Sequence, residues 1–241
     1  PEGFPPIEMA WGHESVAPGL LCAGGNLSVN TLRHAYRQAI FPWFSGDQPI
    51  LWWSPNPRMV LEVKNFKPTL SLKKTLRRFR SAKNCEVRVD TAFHEVINAC
   101  ANSPRGGQSG TWIVPQMIQA YGALHRAGTA HSVEIWVNGH LVGGLYFVAI
   151  GLAVFGESMF HRTTDASKIA LAALVCMCRR LGVSEIDCQQ NTQHLASLGA
   201  CEMPRATFAN RVQMSTTQQE PVWQFAPVYW SELDVLKLAK P

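Results

Sequence analysis

The chain has 241 residues, 46% of them hydrophobic and 16% charged, which is enough to bury a sizeable core and too apolar for a disordered tail. No apolar run approaches the roughly 20 residues that cross a bilayer, and Pro1, Glu2, Pro5 and Pro6 open the chain without a basic, then apolar, leader, so neither a membrane span nor a signal peptide is expected. The net charge of +5 is unevenly spread: from Lys64 to Arg88 nine basic residues accompany one acid, Glu86, a local +8 against −3 elsewhere.

In chain order, Asn26-Leu27-Ser28 precedes a short helix over about 29–39, with Ser28 placed to cap it. Three tryptophans follow (Trp43, Trp52 and Trp53), broken by prolines, so no long regular element forms there. Each is as suited to walling a groove as to filling a core. Over 69–80, Leu72, Leu76 and Phe79 share one helical face, and Lys73, Lys74, Arg77, Arg78 and Arg80 take the rest. A solvated helix ordinarily mixes signs to gain ion pairs. This one contains no acid, which favours a phosphate-rich partner.

A helix near 91–101 and a Gly-rich loop over 104–110 lead to a helix over about 115–126, with Pro115 in its first turn and Gly128 beyond its end. A strand over 132–137 turns at Asn138-Gly139, a strong hairpin signal, and returns over 141–150. Gly151 turns again into 152–155 and a polar segment, Gly156-Glu157-Ser158-Met159-Phe160. A helix over about 165–181, apolar almost all round, ends at Gly182. A strand over 185–189 and a helical turn over 194–198 follow. Helices, an antiparallel meander and a β-α-β crossover predict an α/β fold with a mixed, largely antiparallel sheet. A small N-terminal domain is expected over 1–63 and a catalytic domain over 64–241.

The apolar helix is flanked by Glu157 on one side and Ile186-Asp187-Cys188-Gln189 on the other. A carboxylate in a buried strand is costly without a partner or a task, and one crossover brings these two side by side, as in an active-site floor. Seven cysteines without a C-x-x-C pair read as reduced core thiols of a cytoplasmic protein, and eight histidines without paired spacing give no metal site.

Several segments recur together: Phe41-Pro42-Trp43-Phe44, Trp52-Trp53-Ser54-Pro55, Gly110-Thr111-Trp112-Ile113, Ala130-His131-Ser132-Val133-Glu134, Leu141-Val142-Gly143-Gly144-Leu145-Tyr146, Phe155-Gly156-Glu157-Ser158-Met159-Phe160, Ala166-Ser167-Lys168, the 186–189 tetrapeptide and His194-Leu195-Ala196-Ser197-Leu198-Gly199-Ala200. In these the chain resembles the leucyl/phenylalanyl-tRNA–protein transferase family from about residue 19 to 208. The resemblance implies a GNAT-like larger domain beside a smaller N-terminal one. It implies an enzyme that moves Leu, Phe or Met from aminoacyl-tRNA to the N-terminal Arg or Lys of an acceptor protein, an N-end-rule degradation mark. No metal and no cofactor is implied, because the aminoacyl ester is already activated.

By the same resemblance, Glu157 would recognise the acceptor's cationic residue and Asp187 and Gln189 would form the catalytic relay. Two apart on a strand, 187 and 189 share a face, so Asp187 either orients Gln189 or takes a proton from the amine. Trp43 and Trp112 would meet the terminal adenosine, with Tyr36 and Tyr121 as neighbours. Leu145, Met159, Leu171, Leu174 and Ile186 would line the donor side-chain pocket, where methylenes discriminate only modestly. Lys73, Lys74, Arg77, Arg78, Arg80 and Lys83 would hold the tRNA backbone. His161, Phe147 and the Gly-rich loop at 105–109 depart from the family pattern, the first two beside the expected site. An acyl-coenzyme A N-acyltransferase is the first alternative, but 161–167 lacks its pyrophosphate glycines and Asp165 would repel a phosphate. A non-enzymatic RNA-binding module is the second, and it leaves Glu157, Asp187 and Gln189 without a task.

Overall fold

The computed structural model describes residues 3–103 and 113–233. After a 3-10 turn at Ile7–Met9 come β1 (Leu20–Ala23) and α1 (Val29–Arg37). Ser28 caps α1 as expected, its Oγ accepting the Thr31 N–H at 3.2 Å. β2 (Phe41–Pro42) and β3 (Leu51–Trp53) complete a small antiparallel sheet in the order β1-β3-β2. The chain continues through β4 (Arg58–Glu62), α2 (Leu70–Ser81), β5 (Cys85–Val89), α3 (Phe93–Ala101), α4 (Pro115–Arg126), β6 (Ala130–Val137), β7 (His140–Ile150) and β8 (Ala153–His161). It ends with α5 (Ala166–Leu181), β9 (Glu185–Gln189), α6 (Gln193–Ser197), β10 (Cys201–Met203), α7 (Arg205–Thr216) and a 3-10 stretch at Pro227–Glu232.

The main sheet has seven strands in the order β10-β4-β9-β8-β7-β6-β5. Neighbours are antiparallel except β8 and β9, the pair that α5 joins by a crossover. This is the mixed, largely antiparallel α/β sheet that the sequence predicts. β4 lies inside it, between β10 and β9, although it falls among the residues expected for the N-terminal unit. Its residues Arg58 to Leu61 are buried on both faces, as befits a central strand. β8 pairs with β9 at Val154–Ile186 and Phe155–Asp187, and beyond that it runs beside β7 alone. The gap that opens there is where the candidate site lies.

β7 separates two cores by strand alternation: Tyr146, Val148 and Ile150 face one, Leu145, Phe147 and Ala149 the other. α1, α3, α4 and the small sheet cover the first face, and α2 and α5 the second. The all-round greasiness of α5 follows from its position. Apart from Lys168, Ala166 to Cys178 are buried throughout because Trp223, Trp230 and Leu233 close over the side away from the sheet. Each large apolar side chain so buried contributes roughly 1.5–3 kcal/mol. Gly182 ends the helix at φ 78°, where glycine alone is unstrained.

α3 begins at Ala92, which has no side chain able to cap it. The cap arrives from β6: Glu134, fully buried, accepts the Ala92 N–H at 2.8 Å, the Ser132 hydroxyl at 2.8 Å, the Trp136 Nε1–H at 3.2 Å and the Thr91 hydroxyl. Glu134→Ala would orphan four donors and is expected to cost about 3 kcal/mol, on the order of 10 °C in thermal unfolding. A drop under about 2 °C would mean that water takes over the carboxylate's role.

Candidate active site

Where β8 and β9 part, a cavity of about 350 Å³ opens. Leu145, Met159, Leu171, Leu174 and Ile186, the five residues expected of an apolar pocket, all line it. Glu157 and Asp187 form its polar wall, and Thr192, His194 and Leu195 of the following turn border it. His194 and Thr192 are exposed, so they stand at the mouth. The periodicity of β9 ended at Gln189 and gave no sign that 192–195 would fold back here. Phe147 and His161 do not line the cavity. Phe147 is core, edge-on to Trp223 at 4.8 Å, and His161 is exposed at the end of β8.

Glu157 sits among three donors. Tyr36 Oη donates to its Oε1 at 2.6 Å, Tyr121 Oη to its Oε2 at 3.2 Å, and Gln189 Nε2 lies 3.3 Å from Oε1. The two tyrosine hydroxyls also touch each other. Burial pushes Glu157 up to about 8, the Asp187 charge adds to it, and the tyrosine and Gln189 bonds oppose it. Both phenols are raised well above their ordinary range, first by burial and then by the Glu157 charge.

Asp187 is 1% exposed and held by Arg58, 0% exposed, with Nε to Oδ1 at 2.8 Å and Nη2 to Oδ2 at 2.6 Å. Oδ1 also accepts the Gln189 N–H at 2.8 Å. The guanidinium and the Gln189 main chain thus occupy both Asp187 oxygens. The same-face argument does not survive. Gln189 has φ 62°, and that left-handed turn breaks the alternation. The turn carries the Gln189 amide to Glu157 instead.

Tyr36 and Tyr121 are both 0% exposed, so neither ring offers a face to an adenosine. They hold the Glu157 carboxylate. Trp43 is half-buried, edge-on to Trp53 at 5.3 Å, with its carbonyl accepting Trp53 Nε1–H at 2.6 Å and its N–H donated to the Leu51 carbonyl at 2.9 Å. It borders the small sheet and does not line the cavity. Trp112 and the loop at 104–110 lie outside the described residues. On α2, Lys74, Arg77, Arg78 and Arg80 are exposed and Lys73 half-exposed, with Lys83 exposed just beyond, while Leu72, Leu76 and Phe79 are buried.

α2 is tied to the start of α5. Thr75 Oγ1 donates to Asp165 Oδ2 at 3.1 Å, and Lys168 Nζ meets Asp165 Oδ1 at 2.8 Å. These bonds hold the Asp165 carboxyl below its ordinary range. His194, at the mouth, is lowered by burial and by the Lys168 charge. Among the described residues no group of three His, Cys, Asp or Glu could hold a metal, and no helix is long and apolar enough to cross a membrane.

The site is an apolar pocket at a parted strand pair of a mixed α/β sheet, walled by a tyrosine-bound carboxylate, and the comparisons give its class, an aminoacyltransferase. The family model described as leucyl/phenylalanyl-tRNA protein transferase matches residues 60–213, and the model of that family's N-terminal domain matches 25–56. The chain belongs to this family. A leucyl/phenylalanyl-tRNA–protein transferase of Albidiferax ferrireducens is 60% identical over 232 residues, 96% of this chain and 91% of the relative. One from a Polaromonas species is 59% identical over 240 residues, 100% of this chain and 93% of the relative. Among solved structures, a GCN5-related N-acetyltransferase from Kribbella flavida aligns with a TM-score of 0.35 and 12% identity, over 69% of this chain and 57% of its own.

Proposed function

We propose that this chain transfers Leu, Phe or Met from aminoacyl-tRNA to the α-amine of a protein beginning with Arg or Lys, in the cytoplasm. The observation that carries this reading is the placement of Glu157 on the wall of the apolar cavity. The cavity takes the donor's side chain, and Glu157 stands ready to pair with the acceptor's guanidinium or ammonium. The neutral α-amine attacks the ester carbonyl, the C–N bond forms, the bond to the ribose oxygen breaks, and the amine proton ends on the departing hydroxyl. Gln189 donates to Glu157 through Nε2, which leaves its amide oxygen to accept a hydrogen bond from the attacking amine. Asp187 sets Gln189 through its main chain. Free thiols at all seven cysteines suit a reducing compartment.

The ionised Asp165 at the start of α5 disfavours the pyrophosphate that an acyl-coenzyme A enzyme would bind there. Thr75 ties α2 to Asp165 at the start of α5, and we assign the exposed α2 cations to the body of the tRNA. Trp43 and Trp112 remain our assignment for the terminal adenosine. Replacing Lys73, Lys74, Arg77 and Arg78 together with Ala is expected to weaken tRNA binding at least about tenfold and to flatten its log–log salt slope by roughly 3. Transfer from a minimal aminoacyl-adenosine should survive, and its loss would place the cluster nearer the chemistry. The reaction itself is tested with labelled Leu-tRNA and two copies of a model protein. Label should move onto the copy beginning with Arg and not onto the copy beginning with Ala. Tight tRNA binding without transfer would leave an RNA-binding module.

A further inference from the structure

Arg58 opens β4, directly after Pro55-Asn56-Pro57, and its side chain is wholly buried. A guanidinium is tolerated there only because every side is occupied. Nε and Nη2 grip the two Asp187 oxygens, Nη1 donates to the Ala39 carbonyl at 3.2 Å, and the Phe41 and Phe208 rings each lie 4.8 Å from Cζ. These contacts come from the small sheet, from β9 and from α7. With its guanidinium fixed from three directions, Arg58 fixes the plane of the Asp187 carboxylate. Oδ1, the oxygen that Nε holds, is also the oxygen that accepts the Gln189 N–H. That bond stabilises the left-handed turn at Gln189, from which the amide reaches Glu157.

We propose that Arg58 is a positioning residue for the transfer reaction: it locks the Asp187 carboxylate so that the Gln189 side chain is presented to Glu157 and the attacking amine. This rests on the assignment of Glu157, Asp187 and Gln189 above. A purely structural ion pair would make a different prediction. Its loss would reduce the folded fraction and leave the chemistry of folded molecules alone.

The test measures transfer from a leucyl-adenosine ester to a peptide beginning with Arg, across pH 6 to 9, below each variant's unfolding transition. Arg58→Lys keeps a charge but cannot grip both carboxylate oxygens. Its kcat is expected to fall about 10- to 100-fold with the acceptor KM within about threefold, a split that a merely structural role would not produce. Glu134→Ala, whose carboxylate caps α3 and does not line the cavity, is expected to lower the Tm while leaving kcat unchanged. A parent-like kcat in Arg58→Lys, or losses that track stability alone as in Glu134→Ala, would overturn the proposal. If Arg58→Lys does not fold, Arg58→Gln with Asp187→Asn removes both charges together, and the same loss of kcat at unchanged KM is expected; a parent-like kcat in that pair overturns the proposal equally. Gln189→Ala separates the two levels. A fast Gln189→Ala sinks the relay assignment itself, whereas a slow Gln189→Ala beside a fast Arg58→Lys sinks Arg58 alone.

Discussion

Glu157→Gln is expected to lower kcat/KM for an acceptor beginning with Arg by about 10²-fold, roughly 3 kcal/mol, while leaving tRNA affinity unchanged. The substituted amide keeps the shape, its oxygen accepting from one tyrosine and its NH2 donating to the other, but offers no charge to a guanidinium. The pH dependence sharpens the test. Burial holds the Glu157 carboxyl at about 8, so at pH 6.5 the free protein is mostly protonated there. An arriving guanidinium favours the ionised form, so acceptor binding expels a proton. Calorimetry at pH 6.5 in buffers of different ionisation enthalpy should show release by the parent in excess of release by Glu157→Gln. The acceptor's own amine titrates identically in both experiments and cancels. Equal release would remove Glu157 from acceptor recognition. Stability carries the same signature. A carboxyl raised above its unfolded value of about 4.5 makes the native state hold the extra proton, a contribution complete below that value and lost as pH rises through about 8. The Tm of Glu157→Gln should therefore match the parent near pH 4 and exceed it near pH 9.

Elements with local signals were legible in the sequence. The Asn138-Gly139 hairpin, the capped α1, the Pro115 start of α4 and the Gly182 stop of α5 all have causes within a few residues, and the structure has each of them. The five cavity-lining residues came with the family resemblance, and β7, β8, β9 and α5 bring their apolar side chains to one place. What stayed hidden depends on partners distant in sequence. Arg58 and Asp187 are 129 positions apart, Tyr36 and Glu157 are 121 apart, and no periodicity links them. Tyr36 and Tyr121 read as aromatic surfaces because a sequence does not say whether a ring or its hydroxyl is presented. The turn at Gln189 was hidden too, since strand alternation predicts no left-handed residue there. β10 and α7 escaped for a plainer reason. Three residues make β10, and only Phe208 and Val212 are buried on α7, which is too little pattern to detect.

Asp187→Asn is expected to strike stability and turnover together, and the two losses can be separated. Asn cannot balance the charge of a guanidinium that is 0% exposed, so the substitution leaves Arg58 buried and uncompensated. Breaking a buried pair in this way costs about 3–5 kcal/mol, a fall of about 10 °C or more in Tm for a chain of this size. The carboxylate that orders the Gln189 turn is lost in the same step, so kcat should fall at least about tenfold with tRNA affinity unchanged. Replacing the pair together, Arg58→Met with Asp187→Leu, removes both charges and leaves apolar side chains between the Phe41 and Phe208 rings. That double variant is expected to recover most of the lost Tm, because a buried ion pair is of little net benefit over a well-packed apolar pair. It should recover none of the lost turnover, because nothing then holds Gln189. Recovery of both would make the pair a device of the fold alone, and recovery of neither would mean that the cavity wall itself needs the two charges.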